Sequence, residues 1–252
     1  MRNITLGSTG ITVPQNAFGA LPIQRISAED AAGLLKKAYE GGMRFFDTAR
    51  AYSDSEEKMG LGLSDVRENI YKTPEGFWKD LETTLHNLKT DYLDIYQFHC
   101  ADRVFAPGDG TGMYEAMLEA KAQGKIRHIG ITAHKIGIAE DIIESGLYET
   151  LQFPFSYLSA DRELALVENC RKHNMGFIAM KGLAGGLINN STAAMAYMTQ
   201  FDNVLPIWGI QKESELDEWL AFMDQTPEMT DEIRASILAA NKSMADRALR
   251  VL

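Results

Sequence analysis

The stretch from Tyr92 to Gly146 decides the fold. It holds, in order, YLDIYQFH (92–99), GMYEAMLEAKAQGK (112–125), IRHIGITA (126–133) and IAEDIIESG (138–146). The first and third are short runs of β-branched and aromatic residues, the composition of strands. The second and fourth read as helices. Strand, helix, strand, helix in immediate succession implies parallel strands joined by right-handed crossovers.

The same alternation extends outward in both directions. Downstream come strand TLQFPFS, helix RELALVENCRKHN, strand GFIAMKG, helix STAAMAYMTQF, strand NVLPIWGI and helix SELDEWLAFM. Upstream, TPEGFWKDLETTLHNLKT opens with Thr73 as a helix cap and Pro74 at the first helical position. Before it lie strand ENIY, helix SEEKMGLGL, strand MRFFDTA, a helix over Ala28–Gly41 and a first strand at Ala17–Ala20. The opening RNITLGSTGITVPQNAFGA reads as a hairpin turning at Gly7-Ser8-Thr9-Gly10. The closing TDEIRASILAANKSMADRALRVL reads as an extra helix. Eight β/α units with no linker between them predict one α/β domain over residues 1–252, a closed (β/α)8 barrel in preference to an open doubly wound sheet.

With 35 acidic against 25 basic residues, the net charge is −10. That argues against a broad nucleic-acid or anionic-membrane footprint, while leaving room for a local basic pocket that holds a phosphate. Cys100 and Cys170 form no CxxC pair, and His128, His134 and His173 have no metal-ligand spacing, so no metal site is expected. The start MRNITLGSTG is polar, and no apolar run approaches the roughly 18–20 residues that span a bilayer, so the expected location is the cytoplasm. The acidic run Asp54, Glu56, Glu57 is expected to meet the positive end of a helix dipole. Met195 and Met198, with Met175 and Met180 earlier in the chain, are expected in the core rather than in a cofactor box.

In a barrel of this kind, chemistry sits at the C-terminal ends of the strands. Asp47 ends the second strand and His99 the fourth. Thr132 ends the fifth, Gln152 lies in the sixth and Lys181 ends the seventh. Tyr52 follows Asp47 by five residues, which makes the two a candidate proton-transfer pair on one rim. KGLAGG (181–186), a glycine-rich loop after a strand, reads either as a phosphate cradle or as a plain turn.

The hairpin, FDTARAY with SEEKMG, YLDIYQFH with its terminal histidine, GKIRHIGIT, TLQF and LPIWGIQKESELDEW together resemble the aldo-keto reductase superfamily over about residues 2–240. The segment KTPEGFWKDLETTLHNLKTDYLDIYQFH resembles bacterial members that carry a C-terminal iron–sulfur tail. No such tail follows here, and no cluster is expected. The resemblance implies hydride transfer between NADP or NAD and a small carbonyl or alcohol substrate. Tyr52 would be the general acid, His99 would orient the carbonyl, and Asp47 would pair with a lysine that lowers the tyrosine pKa. Lys72 is the candidate for that lysine. However, RENIYKTPEGF shortens the third β/α unit by roughly half a dozen residues, and a strand rises about 3.3 Å per residue. Lys72 would therefore start too low in the barrel. On the cofactor side the resemblance assigns Gln152 and Thr132 to the nicotinamide amide, Met180 to its ring, and Lys181, Leu183 and Gly185 to the pyrophosphate. It assigns Gln211 and Lys212 to the 2′-phosphate region and Glu218 to the adenine. Glu215, read as an unpaired carboxylate that repels a 2′-phosphate, suggests NAD over NADP. The shortened unit leaves a second expectation open: a catalytically impaired barrel that acts as a nucleotide-binding or regulatory subunit.

Overall fold

A computed structural model describes residues 1–63 and 74–249. An antiparallel hairpin, β1 (Asn3–Thr5) and β2 (Thr12–Pro14), comes first. The series then runs β3 (Ala17–Gly19), α1 (Ala28–Glu40), β4 (Phe46–Asp47), α2 (Ser55–Gly62), α3 (Pro74–Asn87) and β5 (Leu93–Ala101). It continues with α4 (Met113–Ala122), β6 (Ile126–Ala133), α5 (Ile136–Ser145), β7 (Thr150–Pro154) and α6 (Asp161–Lys172). β8 (Gly176–Met180), α7 (Ser191–Met198), β9 (Val204–Gly209), α8 (Glu213–Asp224) and α9 (Asp231–Leu249) complete it.

Among the described residues, seven parallel strands form one sheet in the order β4-β3-β9-β8-β7-β6-β5. The earliest and latest strands of the series, β3 and β9, are neighbours, which is how a sheet curls into an α/β barrel. The expected strand at residues 68–71, the shortening after Tyr71 and Lys72 all lie outside the described residues.

Alternation along the strands separates two apolar layers. Ala17, Phe45, Ile95, Ile178, Leu205 and Ile207 pack inside the barrel with Ile4, Leu6 and Val13 of the hairpin. Phe18, Tyr96, Phe98, Phe177 and Trp208 face the helices instead. The hairpin is the barrel's floor: Leu6 is fully buried, and Gly7 bridges to Met175 just before β8 begins. Gly7 has φ +50 and its backbone lies against Gly176, so a side chain there has neither the conformation nor the room. Met175, Met195 and Met198 are buried, as core residues.

One expectation changes. MRFFDTA yields only the two-residue β4, because the chain turns off the sheet at Thr48, whose hydroxyl lies 2.9 Å from that of Ser55. The acidic run does sit at a helix N-terminus, as expected: Asp54 is the N-cap of α2, and Glu56 and Glu57 are in its first turn. Asp54 pairs with Lys58 at 2.8 Å and Glu57 is exposed, whereas Glu56 is buried with its side chain 1% exposed. Glu56 accepts from Arg50 Nη1 (2.8 Å), Thr84 Oγ1 (2.9 Å) and Asn87 Nδ2 (3.0 Å). It ties α2 to α3.

At the foot of β7, Glu149 accepts from Lys121, from His128 Nδ1 at 2.6 Å and from the Ile129 amide at 3.1 Å. Burial works against its charge, but these bonds outweigh it and hold the carboxyl below its ordinary value. A depressed carboxyl contributes stability above its unfolded pKa and loses it as pH falls through the folded one. Glu149→Gln is therefore expected to cost about 1–2 kcal/mol at neutral pH, and the difference from wild type should shrink in acid urea melts.

Candidate active site

Strand β4 carries Asp47 at its C-terminal end, and the neighbouring strands β5, β6 and β7 carry Gln97 and His99, Thr132 and Gln152 in their C-terminal or middle parts. Asp47, Gln97, Thr132 and Gln152 are each 5% exposed or less, and His99 and Tyr52 are half-buried at the rim. Gln97 Nε2 donates to Gln152 Oε1 at 2.7 Å, and the Gln152 side chain lies near enough to Asp47 to favour its charged form. Burial pushes the Asp47 carboxyl up to about 7, partly offset by the nearby Gln152 amide.

Tyr52 meets His99 edge-on, with ring centroids 5.9 Å apart and planes at 84°. Burial raises its phenol well above the usual range, and the charges of Asp47 and Cys100 raise it further. The cation expected beside Asp47 and Tyr52 is not provided by the described part of the chain: among the described residues, no lysine or arginine forms an ion pair with Asp47. Lys72, the residue assigned that role, lies outside them.

The end of β5 is irregular. The β5–β6 register shifts between Phe98 and Ala101, and Cys100 takes φ +50. The Cys100 amide donates to Thr132 Oγ1 at 2.7 Å, so the Thr132 hydroxyl is already engaged as an acceptor. A bulge of this kind re-aims neighbouring side chains, here the rim histidine.

On the other side of the rim, β8 stops at Met180, which is half-buried and packs on the inner layer. Lys181 does not end the strand. It leaves it at φ +57 and is exposed. Gly182 lies against the Trp208 ring, where a Cβ would collide. Leu183 leads into a short 3-10 turn at Ala184–Gly186, in which Gly185 (φ +67) and Gly186 (φ +96) face open space. KGLAGG is thus a turn whose backbone stays open to a ligand. His134, which sequence reading passed over, lies close enough to Lys181 that burial and then that charge lower its pKa.

The last segment corrects one expectation. Glu215 is not unpaired: its Oε2 accepts from the Gln211 and Lys212 amides at 3.0 and 3.1 Å, capping α8. Glu218 is likewise engaged, accepting from Ser191 Oγ. Trp219 is buried and stacks on Trp208 with centroids 3.9 Å apart and planes at 8°. Among the described residues no helix is long and apolar enough to cross a membrane, and no three His, Cys, Asp or Glu side chains are grouped to hold a metal. A depression of about 650 Å³ bordered by Glu82, Tyr92, Lys125 and Arg127 opens at the opposite, N-terminal face, away from these groups.

A parallel α/β barrel with polar side chains gathered at its C-terminal rim is a fold shared by many enzymes. Residues 4–206 match the aldo/keto reductase family model, and the chain belongs to that family. Among curated relatives, it is 29% identical to an L-galactose dehydrogenase of Arabidopsis thaliana over 73% of this chain and 66% of that protein. It is 34% identical to a methylglyoxal reductase, DkgB, of Salmonella typhi over 53% and 52% of the two chains. It is 31% identical to an NADPH-dependent codeinone reductase of Papaver somniferum over 51% and 49%. The chain spans about half to two thirds of the length of these relatives. In structure it resembles the holo form of aldo-keto reductase AKR11C1 from Bacillus halodurans. That match has a TM-score of 0.81 and 20% identity, and covers 95% of this chain and 96% of that one. It also resembles the thermostable aldo-keto reductase Tm1743, with a TM-score of 0.78, 24% identity and coverage of 95% and 100%.

Proposed function

We propose that the chain is an NAD(P)-dependent oxidoreductase that reduces a small aldehyde or ketone. The observation that carries this reading is the Tyr52–His99 contact at the rim, directly beside the buried Asp47–Gln152 pair. The names of two relatives, a methylglyoxal reductase and an NADPH-dependent codeinone reductase, support the same reaction class.

The site residues suit a dinucleotide. Lys181 and Lys212 are exposed cations, and the open backbone at Gly185 and Gly186 admits phosphate oxygens. Gln152 keeps polar capacity beyond its bond from Gln97: its amide hydrogens and one lone pair. When bound, the nicotinamide supplies the hydride. Tyr52 gives its phenolic proton to the carbonyl oxygen, and His99 holds that oxygen in place. Because burial and the Asp47 charge keep the phenol neutral, the donor form is present throughout the working pH range.

Glu215 supports a preference for NAD. Its carboxylate occupies the α8 N-terminal amides where a 2′-phosphate would bind, so the phosphate must displace it. Glu215→Gln is expected to tighten NADPH binding about tenfold, with NADH nearly unchanged, when dissociation constants are read by fluorescence titration. Tighter NADPH than NADH in the wild type would remove the preference.

The decisive assay follows NADH and NADPH absorbance over a panel of small aldehydes and ketones. Turnover establishes the reductase. Nucleotide binding with no turnover would leave the binding-subunit reading in its place.

A further inference from the structure

We propose that Lys58 is a positioning residue for Tyr52: its buried ammonium fastens the rim loop after β3 to the start of α2, and so holds the loop that carries the phenol. The proposal rests on the reductase reading for the role of Tyr52, but the fastening itself can be read without turnover.

Residues 47–55 leave the barrel at the end of β4 and re-enter regular structure at the first residue of α2, with Tyr52 between. Both ends of this loop are pinned to Ala20, the residue that follows β3. The Ala20 amide donates to the Asp47 carbonyl at 2.8 Å, and the Ala20 carbonyl accepts from Ser55 Oγ at 3.0 Å. That bond uses the one hydroxyl hydrogen of Ser55, so Thr48 Oγ1 is the donor in its 2.9 Å contact with Ser55 Oγ. Ala20 and Ser55 are fully buried and Thr48 nearly so. Within the loop, the Tyr52 amide donates to the Ala49 carbonyl and the Ser55 amide to the Tyr52 carbonyl, each at 2.9 Å. Tyr52 is therefore placed only as firmly as Ala20 is.

Ala20 opens the rim loop, whose middle is a short 3-10 turn at Leu21–Arg25. Lys58, in the first turn of α2, secures the far end of that loop. Its Nζ donates to the Ile26 carbonyl at 2.8 Å and the Ile23 carbonyl at 3.2 Å, and pairs with Asp54 Oδ2 at 2.8 Å. Three ammonium hydrogens meet three acceptors. The charge is thus committed, and Lys58 does not serve as the cation expected beside Tyr52. Its side chain is 7% exposed, so an apolar replacement would take the donor from both carbonyls where little water can substitute. Asp54 lies two residues beyond Tyr52, so the same ammonium also grips the tyrosine loop directly. Opposite Lys58, the rim loop rests on the end of β9, where Pro22 crowds Gly209.

The test compares wild type with Lys58→Met, which keeps the length of the side chain and removes the three donors. A proton donor displaced by about 1 Å can lose on the order of 10²-fold in rate, and kcat is expected to fall about tenfold or more. Nicotinamide nucleotide Kd should stay within about twofold, a split that general loss of structure would not produce. In protein with ¹³C-labelled tyrosine rings, the Tyr52 signal, assigned by Tyr52→Phe, should shift or broaden. Amide hydrogens of residues 20–27 and 49–55 should exchange faster. Should Lys58→Met fail to fold, Lys58→Gln, too short to reach all three acceptors, makes the same comparison. A folded variant whose Tyr52 signal and exchange match wild type overturns the proposal, as does a loosened loop with unchanged kcat. A wild type that reduces no carbonyl counts against the reductase reading alone, because the ring signal and the exchange still judge Lys58.

Discussion

Replacing Tyr52 with phenylalanine is expected to lower kcat for carbonyl reduction by about 10²–10⁴-fold, the range over which a positioned proton donor contributes. The ring survives the substitution, so its edge-on contact with His99 and the packing around it are retained. Nucleotide affinity and the melting temperature should stay close to wild type, which separates lost chemistry from lost structure. The wild-type pH profile gives the same expectation a second readout. Asp47 titrates at about 7, and its charge is one of the influences holding the Tyr52 proton. As pH falls through that value Asp47 becomes neutral, the phenol releases its proton more readily, and reduction should accelerate. Asp47→Asn should flatten that limb of the profile. A Tyr52→Phe protein that keeps full kcat would remove Tyr52 from the proton path.

The second large effect concerns stability. Among the described residues, Arg50→Ala leaves the buried Glu56 carboxylate with only the neutral donors Thr84 and Asn87. Breaking a buried ion pair from one side costs about 3–5 kcal/mol. The Arg50 side chain is 26% exposed, which lets solvent screen part of the interaction and favours the lower end of that range. For a chain of this size, about 3 kcal/mol corresponds to a fall in melting temperature on the order of 10 °C, measurable by calorimetry. Glu56→Gln keeps an acceptor for Thr84 and should cost less. Equal melting temperatures for Arg50→Ala and wild type would show that the α2–α3 tie is carried elsewhere.

The sequence made the barrel legible because its signal is local and repeated. Each strand run is short and apolar, each is followed by a helix, and the inner face repeats every second residue, as at Ile95, Gln97 and His99. Partnerships between distant residues left no such trace. Glu56 was legible as a helix-end acid, which it is, but not as the buried tie to α3, since Thr84 and Asn87 lie 28 and 31 positions further along. Glu215 looked unpaired because its partners are backbone amides, which carry no residue-type signature. Gln97 did leave a clue, a polar side chain on the inward face of an otherwise apolar strand. It became meaningful only once β5, β6 and β7 lay side by side.

The hairpin floor also governs traffic. With Leu6 sealed beneath the inner layer and Gly7 pinned to the foot of β8, the barrel is a cup rather than a tube. Among the described residues the opposite rim is the open end, so whatever binds against Gln152 and Asp47 enters and leaves there. The deeper guest must arrive first and depart last, which fixes a queue before any chemistry begins.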